Sequence, residues 1–413
     1  MLKKQTIDVI KSTVPVLEQH GEVITTRFYE LMFGNHPELL NIFNHANQKQ
    51  GRQQKALASA VYAAAMYIDN LEAIIPVVKQ IGHKHRSLGI KPEHYPIVGK
   101  HLLLAIKDVL GEAATDEIID AWGQAYGVIA DAFIGVEAQM YDAAEHQDGG
   151  WEGFRNFVVG KIVKESDVIT SFYLKSEDGK DIATFLPGQY ISLKMEIPGE
   201  EYTHIRQYSL SDAPGRDYYR ISVKREAGTA NPDGKVSNYL HDQINVGDIL
   251  KVSAPAGDFV LDTNNDAPVV LLSGGVGLTP MMSMLKSIAE AQPDRQVTFI
   301  HACENGNVHA LREEVEVLSA SENVTSFVFY AAPTEDDCQN KRFDEEGYVT
   351  QEWLKENVTI NAADFYFCGP IPFMKGINQS LKALGVSEDQ IHFEFFGPKG
   401  DLEQQQQEEA VGV

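Results

Sequence analysis

This sequence of 413 residues has few cysteines, few basic residues and no long apolar run. Its three cysteines, Cys303, Cys338 and Cys368, are widely spaced and odd in number, so they form no disulfide framework and no zinc pattern. Lys and Arg number 35 against 59 Asp and Glu, and the net charge of −24 argues against binding to nucleic acids or anionic membranes. No apolar stretch approaches the roughly 18 residues of a transmembrane helix, and the N-terminus lacks the apolar segment of a secretory signal. We therefore expect a cytoplasmic protein that does not bind nucleic acid.

The composition that is present is that of folded protein, with 43% hydrophobic and 23% charged residues. At about 150 residues per domain, the length suggests two or three domains. Helical apolar spacing dominates the first part, short β-rich runs follow, and strand-like runs alternate with helical stretches after Pro268. We predict an all-α domain, a β-rich domain and an α/β domain with a parallel sheet. The predicted bounds are 1–140 for the first domain, 141–152 for a linker, 153–264 and 265–400 for the other domains, and 401–413 for an acidic polar tail.

One histidine of the helical part lies on an apolar face. If residues 71–88 form one helix, His85 falls within about 80° of the apolar stripe that includes Val78 and Ile81. His101 lies off the stripe of its own helix. A lone histidine on an apolar face is usually a hydrogen-bonded core residue, and a metal or haem ligand is the alternative.

Two residues of later helices favour the ligand interpretation of His85. Tyr95 lies at the start of the apolar stripe of the next helix, and Glu137 lies on the edge of the stripe of the last helix. A carboxylate there is buried only if it has a partner, and a haem-ligating histidine needs a hydrogen-bond acceptor for its second ring nitrogen. The alternatives are a helix-start aromatic residue and a solvated charge.

Four segments of the helical part carry a resemblance to a known family. They are RFYELMF (27–33), NQKQGRQQKAL (47–57), KHRSLGIKPEHYPIVGKHLL (84–103) and AWGQAYGVIADAFIGVEAQMY (121–141). Residues 1–140 resemble bacterial globins, and the whole chain resembles the flavohaemoglobins, in which a globin is fused to a ferredoxin-reductase-like module. The resemblance implies a haem b whose iron is bound by His85 on the proximal side. It also implies that Tyr95 and Glu137 belong to the hydrogen-bond network of that histidine.

The same resemblance implies a distal side, where Tyr29 and Gln53 lie over the bound ligand and Lys84 tunes the ligand site. The pocket would be lined by Phe28, Phe43 and Leu57. Helical spacing supports Gln53, which shares a face with Leu57, but it does not support Tyr29, which lies off the stripe of its helix. Spacing alone predicts that Tyr29 is exposed and that Lys84 is an ordinary solvated charge.

A short run in the β-rich part suits a flavin site. Arg206, Gln207, Tyr208 and Ser209 follow the segment PGQY, which ends at Tyr190. Arg can form bidentate contacts with a pyrophosphate, an aromatic ring can cover the isoalloxazine, and a hydroxyl can bond its redox-active edge. The alternative is an ordinary β-strand.

Together with GKVSNYL (234–240), this run resembles the antiparallel flavin-binding barrel of the ferredoxin-reductase superfamily. The resemblance implies FAD, with its phosphate bound by backbone amides of Gly234, Lys235, Val236 and Ser237. Residues 226–235 form a longer loop than the usual Gly-Gly turn of the family, and Asp233 replaces the first glycine. The phosphate contacts of this loop therefore stay open.

The α/β part begins with a strand, a glycine turn and a helix in PVVLLSGGVGLTPMMSMLKSI (268–288). The turn residues are Gly274, Gly275, Val276, Gly277, Leu278 and Thr279. Glycines let backbone amides approach a pyrophosphate at a helix N-terminus, so a Cβ at Gly275 or Gly277 should collide with the nucleotide. The spacing differs from G-x-G-x-x-G, and a tight strand–helix turn is the alternative.

Two further segments complete the predicted nicotinamide half. The strand end FYFCGP places Cys368, Gly369 and Pro370 beside the glycine turn, and no histidine or other cysteine lies at metal-ligand spacing from Cys368. The segment HFEFFGP closes the chain with Glu394, Phe395, Phe396, Gly397 and Pro398. The resemblance places Phe396 over the flavin and implies that Glu394 influences its redox potential. The alternative is an edge strand with one buried acid.

The order of the modules suggests an electron path. NAD(P)H delivers a two-electron hydride, haem iron accepts single electrons, and FAD can do both. The resemblance implies nitric oxide dioxygenase activity, in which O2 bound by the reduced haem oxidises nitric oxide to nitrate. Two alternatives stay open, a haem-based sensor or carrier of oxygen or nitric oxide, and a reductase of flavins, ferric iron or lipid peroxides. A complete reductase disfavours the sensor, which needs no hydride supply.

The substrates and partners follow from the same resemblance. We expect O2 and nitric oxide as small-molecule substrates, a monomer, and no obligate protein partner. Glu304, after the strand QVTFIHA, would bind a ribose hydroxyl and favours NADH, although the sequence does not choose between NADH and NADPH.

Overall fold

The computed structural model describes residues 2–44, 48, 50–227 and 234–396. The chain divides into two compact units, which are described separately. The first contains Met1–Gly153 and Lys194–Arg206, and the second contains Phe154–Leu193 and Gln207–Gly397. Within the described ranges, no helix is both long and apolar enough to cross a membrane.

The first unit is helical. Its helices are α1 (Lys4–Ser12), α2 (Val14–Asn35), α3 (Arg52–Met66), α4 (Ile75–Leu88), α5 (His94–Leu110) and α6 (Asp116–His146). The helix predicted over 71–88 is a 3-10 turn, Leu71–Ile74, followed by α4, because Pro76 is tolerated in the first turn of a helix but not in its interior. Gly89 ends α4 with a left-handed φ of 79°. Because α6 continues through His146, the first residues of the predicted linker are helical.

Packing of these helices positions the residues of the predicted haem side. α2 packs against both α3 and α5, and α4 packs against α6. A Cβ on Gly99 of α5 would overlap the ring of Tyr126 on α6, so the glycine permits that close approach. The Tyr126 hydroxyl then donates to the Tyr95 carbonyl oxygen at 2.6 Å, which fixes the start of α5.

The β-rich part forms a six-stranded sheet in the order β4-β3-β6-β1-β2-β5 among the described residues. The strands are β1 (Phe154–Lys164), β2 (Ile169–Ser176), β3 (Tyr190–Met195), β4 (His204–Ser209), β5 (Tyr219–Lys224) and β6 (Ile249–Ser253), and a helix α7 (Lys235–Gln243) precedes β6. β1 pairs antiparallel with β2 and β6, and β2 pairs antiparallel with β5. This arrangement agrees with the predicted antiparallel domain.

The last part is a parallel sheet in the order β10-β9-β8-β7-β11-β12. Its strands are β7 (Val269–Gly274), β8 (Val297–Cys303), β9 (Val324–Tyr330), β10 (Glu345–Glu346), β11 (Asp364–Cys368) and β12 (Ile391–Glu394). Its helices are α8 (Leu278–Ala291), α9 (Arg312–Leu318), α10 (Glu335–Gln339), α11 (Gln351–Asn357) and α12 (Ile371–Ala383). β7 is buried along its whole length, as an apolar run in a covered parallel sheet should be. The chain order reverses beside β7, and crevices at such carboxyl ends are the usual ligand sites.

Candidate functional site

His85, Tyr95 and Glu137 meet, as the sequence predicted. His85 Nδ1 lies 2.7 Å from Glu137 Oε1, and the Tyr95 hydroxyl donates to the same oxygen at 2.6 Å. The Glu137 side chain is buried, whereas that of His85 is 30% exposed. The buried carboxylate therefore has two hydrogen-bond donors, which makes its burial tolerable.

This geometry leaves one nitrogen of His85 available as a ligand. When Nδ1–H donates to a carboxylate, Nε2 carries the lone pair, which is the tautomer that metal-binding histidines use. His101 shows the other outcome. It is fully buried, its Nδ1 donates to the Ile97 carbonyl oxygen at 2.7 Å, and its Nε2 accepts from the Asn35 amide at 3.1 Å. His101 is a core histidine although it lies off the apolar stripe of its helix, because α5 is also covered by α2.

Tyr95 acts on Glu137 as a neutral phenol. Burial, together with the hydrogen bond to Glu137, raises the pKa of Tyr95 above its ordinary value. The centre of the Phe133 ring lies 5.8 Å from that of His85 and 6.2 Å from that of Tyr95, so Phe133 packs against both residues. The chemistry of this donor set fits the proximal side of a haem.

Tyr29 is buried, so the exposure predicted from helical spacing is wrong. Its ring packs against Phe28 at 4.8 Å, Phe33 at 5.6 Å and Phe43 at 5.9 Å between ring centres. The buried face of α2 is wide because that helix contacts two other helices at once. Burial raises the pKa of Tyr29, and a hydrogen bond to Gln48 only partly offsets the rise. Tyr29 is therefore a protonated donor.

Gln48 links the two predicted distal residues. Its amide nitrogen donates to Gln53 Oε1 at 2.8 Å, and its side chain hydrogen-bonds Tyr29. The Gln54 amide in turn donates to Gln48 Oε1 at 3.1 Å. Sequence reasoning missed Gln48, although it lies inside the segment that carries the globin resemblance, because no helical stripe includes it.

The remaining residues of this side have ordinary positions. Phe28 is buried, Phe43 and Leu57 are half-buried, and all three pack in the core of the first unit. Lys84 is exposed, which agrees with a solvated charge and leaves its predicted role on the ligand site a prediction.

The predicted flavin run lies on β4, where successive side chains face opposite sides of the sheet. Arg206 and Tyr208 therefore share one face, while Gln207 and Ser209 share the other. The Gln207 amide donates to Ser192 Oγ on β3 at 3.1 Å, and Ser209 is buried. The Arg206 guanidinium, half-buried, donates to the Ile205 carbonyl oxygen at 2.8 Å.

Tyr190 begins β3 and is fixed by its backbone. Its amide donates to the Ala256 carbonyl oxygen at 2.9 Å, and the Ala256 amide donates back at 2.8 Å. The Tyr190 ring lies 3.1 Å from where a Cβ on Gly257 would stand, so that glycine makes room for the ring. A guanidinium and phenol rings on neighbouring strands fit a flavin nucleotide.

The predicted phosphate loop ends at the first turn of α7. The Gly234 amide donates to the Glu226 carbonyl oxygen at 2.7 Å. The Ser237 hydroxyl accepts from the Glu226 amide at 3.1 Å and donates to the Gly234 carbonyl oxygen at 3.0 Å. The Ser237 side chain thus closes the loop, and the amides of Lys235 and Val236 stand at a helix N-terminus that favours an anion. Residues 228–233, including Asp233, lie outside the described residues.

The glycines of the nucleotide turn serve different purposes. Gly275 has a left-handed φ of 53°, and nothing lies within 4 Å of a Cβ built there. A Cβ on Gly277 would instead overlap the Cys368 carbonyl oxygen. The collision predicted for Gly277 is therefore with protein backbone, whereas Gly275 leaves backbone open to a pyrophosphate. Val276 is half-buried, and the Thr279 hydroxyl donates to its carbonyl oxygen at 3.1 Å.

The strand ends predicted to lie together do so. Cys368 pairs with Ser273 on β7 and with Glu394 on β12. Cys368 is fully buried, and burial, with a smaller effect of Glu394, raises the pKa of its thiol well above the ordinary value. A Cβ on Gly369 would lie 3.0 Å from the Cα of Gly274. The absence of side chains at these two glycines therefore lets the backbones at the ends of β7 and β11 come close together.

The remaining predicted residues follow β11 or lie at the end of β12 and beyond it. Pro370 caps α12, and Glu394 and Phe395 are half-buried. Phe396 is 46% exposed, which leaves an aromatic face available for a partner ring. Gly397, Pro398 and the tail at 401–413 lie outside the described residues.

Comparison with known families divides the chain in the same way. The globin family model matches residues 26–133, the model described as an oxidoreductase FAD-binding domain matches 157–261, and the oxidoreductase NAD-binding domain model matches 271–379.

Related proteins span the whole chain. A flavohemoprotein of Bacillus thuringiensis subsp. konkukian (strain 97-27) is 64% identical over 404 residues, covering 98% of this chain and 100% of that protein. A flavohemoprotein of Bacillus subtilis (strain 168) is 57% identical with the same coverage. A flavohemoprotein of Rhizobium meliloti (strain 1021) is 51% identical over 96% of this chain and 99% of that protein.

Solved structures agree. A flavohemoglobin from Malassezia yamatoensis with bound FAD and heme matches with a TM-score of 0.82 at 25% identity, covering 96% of this chain and 100% of that chain. The FAD/NAD-binding domain of a nitric oxide dioxygenase from Vibrio cholerae O1 biovar El Tor matches with a TM-score of 0.54 at 42% identity, covering 59% of this chain and 99% of that chain. The predicted fold class and the predicted haem, FAD and nicotinamide cofactors are confirmed.

Proposed function

This chain belongs to the flavohaemoglobin family, and from that membership we propose that it is an NAD(P)H-dependent nitric oxide dioxygenase. Its FAD- and NAD-binding domains make it an oxidoreductase. When bound, NAD(P)H would supply a hydride, FAD would divide it into single electrons, and haem would supply the iron chemistry for oxidation of nitric oxide by O2 to nitrate. His85 would hold the iron, Arg206 and Tyr208 the FAD, and the turn at Gly275 the nucleotide.

The proximal residues orient the ligand and enrich it in electrons. Glu137 accepts from His85 Nδ1 at 2.7 Å, which fixes the ring plane and makes the imidazole a stronger donor through Nε2. Tyr95 donates to the same oxygen at 2.6 Å and so fixes the carboxylate. An electron-rich proximal ligand favours activation of O2 over its storage. This paired donation, in a chain with a complete reductase, is the observation that carries the proposal.

The distal residues can supply hydrogen bonds from side chains among buried aromatic rings. Tyr29 keeps its proton because burial raises its pKa, and it can donate to a partly anionic ligand. Gln48 bonds both Tyr29 and Gln53, so it restrains the directions of the two side chains. Phe28 and Phe43 pack around the phenol and exclude water from it.

The setting follows from the same proposal. The described cysteines, Cys303, Cys338 and Cys368, are all free, which supports a reducing cytoplasm. We propose a monomer without an obligate protein partner, since the haem, FAD and NAD modules lie in one chain.

The test compares NADH oxidation with and without nitric oxide at equal O2, with nitrate measured as product. We expect nitric oxide to accelerate NADH oxidation severalfold and to be recovered as nitrate, and reactions without NADH are the matched control. An equal rate of NADH oxidation with and without nitric oxide, with no nitrate formed, would support a reductase of flavins, ferric iron or lipid peroxides. Ligand binding without NADH oxidation would support a sensor or carrier.

A further inference from the structure

A partly buried ion cluster lies outside the predicted cofactor contacts, inside the second unit. It consists of Asp212 after β4, Arg220 on β5, Lys286 on α8 and Glu314 on α9, and we call it the Asp212 cluster. Lys286 Nζ lies 2.6 Å from Asp212 Oδ1 and 3.0 Å from Glu314 Oε2. Arg220 pairs with Glu314 and lies 3.8 Å from Asp212. Asp212 and Arg220 are both buried.

The charges of the cluster balance. Burial alone would raise the pKa of Asp212 and of Glu314, but Arg220 and Lys286 outweigh it and lower both values. Both acids are thus ionised at neutral pH, and two cations face two carboxylates. Removal of one member of such a set leaves an uncompensated charge in a partly buried place, which destabilises the packing of the neighbouring elements.

A chain of serines extends the cluster into the antiparallel sheet. Arg220 Nε donates to Ser211 Oγ at 3.1 Å, Ser211 Oγ lies 2.9 Å from Ser222 Oγ, and Ser222 Oγ lies 2.8 Å from Ser171 Oγ. These serines are buried, and Ser171 at the end of the chain hydrogen-bonds Glu165, whose pKa burial raises. The cluster is therefore held rigidly from the side of the sheet.

Both ends of the cluster lie on chain segments that are continuous with a predicted cofactor site. Asp212 follows Ser209 of the flavin run by three positions, and α8 begins directly after the glycine turn of the nucleotide site. The Ser283 hydroxyl on α8 also donates to the Asp212 carbonyl oxygen at 2.9 Å. The helix that starts at the nucleotide is thus fastened, through Ser283 and Lys286, to the strand end that carries the flavin residues.

We propose that Asp212 and Lys286 are positioning residues that set the distance between nicotinamide and flavin for hydride transfer. The inference rests on the proposed function only in that both cofactors are used. In the step, a hydride with both electrons leaves C4 of the nicotinamide and bonds N5 of the flavin, giving NAD+ and reduced flavin. Neither residue touches the reacting atoms. They fix α8 against the segment that follows β4, and in this way would set the distance between the two bound rings.

The test compares the Lys286→Met variant with wild type, and Lys382→Met is the matched control. All three proteins are whole chains with haem and FAD bound. Lys382 lies on α12 of the same unit, in an exposed ion pair with Glu388 at 3.5 Å. We expect anaerobic flavin reduction at saturating NADH to slow about tenfold or more in Lys286→Met, since small misplacements far from the chemistry cost such factors. The dissociation constant of NAD+, from calorimetry, should change less than twofold. The charge-transfer absorbance of NAD+ stacked on reduced flavin should weaken.

Two further variants separate positioning from plain stability. Lys286→Arg should restore most of the rate, because it returns the cation. Asp212→Asn combined with Lys286→Met should cost less than the product of the single effects, because the two residues act as a pair. A Lys286→Met rate within twofold of wild type, or a loss confined to NAD+ affinity or FAD content, would overturn the inference. Flavin reduction is measured without O2 or nitric oxide, so a failure of the dioxygenase proposal alone would leave this result untouched.

Discussion

The haem side and the nucleotide edge are assembled in different ways. Tyr29, His85 and Glu137 lie on different helices, and the contact between His85 and Glu137 spans 52 positions of sequence. The nucleotide edge is built from short contiguous runs, 274–279 and 368–370, at the ends of strands that pair in register. A contiguous run is visible in the sequence as a motif. A pocket between helices takes one residue from each, and only packing decides which side chains meet.

The largest expected effect tests the single metal ligand of the helical site. His85→Ala should reduce haem from stoichiometric to near zero, because the described geometry offers Nε2 of this residue as the ligand. FAD content should stay normal. Soret absorbance and a haem assay measure the change, with His20→Ala, at an exposed position on α2, as the control. Normal Soret absorbance in His85→Ala would remove the assignment.

The next effect concerns the flavin run. Arg206→Ala should lower FAD affinity by about a hundredfold or more, since charge-assisted contacts contribute roughly 1.5–3 kcal/mol each. Haem reduction by NADH should then stop, while reduction by dithionite persists. Arg312→Ala, which breaks the ion pair with Glu316 on α9, is the control. Retained FAD with full turnover would show that the run is only a strand.

The two glycines of the turn sharpen the comparison at the sheet edge. Gly277→Val should destabilise the second unit by about 1–3 kcal/mol, because the new side chain meets the Cys368 backbone. Gly275→Ala should cost about 1–2 kcal/mol of backbone strain and slow flavin reduction by NADH, with normal FAD and haem spectra. Thermal unfolding and stopped-flow reduction measure the two losses. An unchanged rate in Gly275→Ala would place the nucleotide elsewhere.

A smaller effect tests the distal donor. Tyr29→Phe should release O2 roughly 10 to 100 times faster, if the hydrogen bond contributes about 1.5–3 kcal/mol. Gln48→Leu should give a change of only a few fold, because Tyr29 keeps its phenol and loses only restraint. Stopped flow on the reduced protein measures both rates, and haem content should not change. A Tyr29→Phe rate within about twofold of wild type would remove Tyr29 from the site.

The smallest effect at neutral pH comes from a buried histidine pair of the parallel sheet. His301 Nδ1 lies 2.8 Å from Ser273 Oγ, and its ring lies 4.5 Å from that of His309. Burial lowers the pKa of His301 to about 4, so the native protein stays unprotonated where the unfolded chain, at about 6.5, takes up a proton. The free energy of unfolding is therefore unaffected by His301 above pH 6.5. As the pH falls from 6.5 towards 4, it decreases by about 1.4 kcal/mol per pH unit.

The measurement is the urea midpoint of the second unit between pH 7 and pH 4.5. His301→Leu should lower the pH slope by about one proton. An equal slope in wild type and His301→Leu would show that His301 is not the group that titrates.

The local features of the fold were predictable because they depend on neighbours in sequence. The strand–turn–helix at 268–288, the end of α4 at Gly89 and the alternation of β4 follow from backbone chemistry alone. The contact of Cys368 with the glycine turn was also predictable, since neighbouring parallel strands end at one edge.

Two buried positions that the apolar stripes do not indicate share one cause. Tyr29 and His101 both lie off the apolar stripes of their helices, yet both are buried, because α2 and α5 cover each other while each also packs elsewhere. A stripe calculated for one helix assumes one covered face. Gln48 and the Asp212 cluster were missed for a related reason, since polar side chains leave no apolar period in the sequence.

By itself the sequence determined the three kinds of domain, their order, the cofactor-related motifs and His85 as the candidate ligand, because apolar period, turn residues and motif spacing are local properties. Only the tertiary structure decided which polar groups share a buried environment. It joined His85 and Tyr95 to one oxygen of Glu137, placed Gly277 against Cys368, and formed an ion cluster between α8 and the segment after β4. Burial of a polar group requires a partner, and the partner's place depends on how distant elements pack.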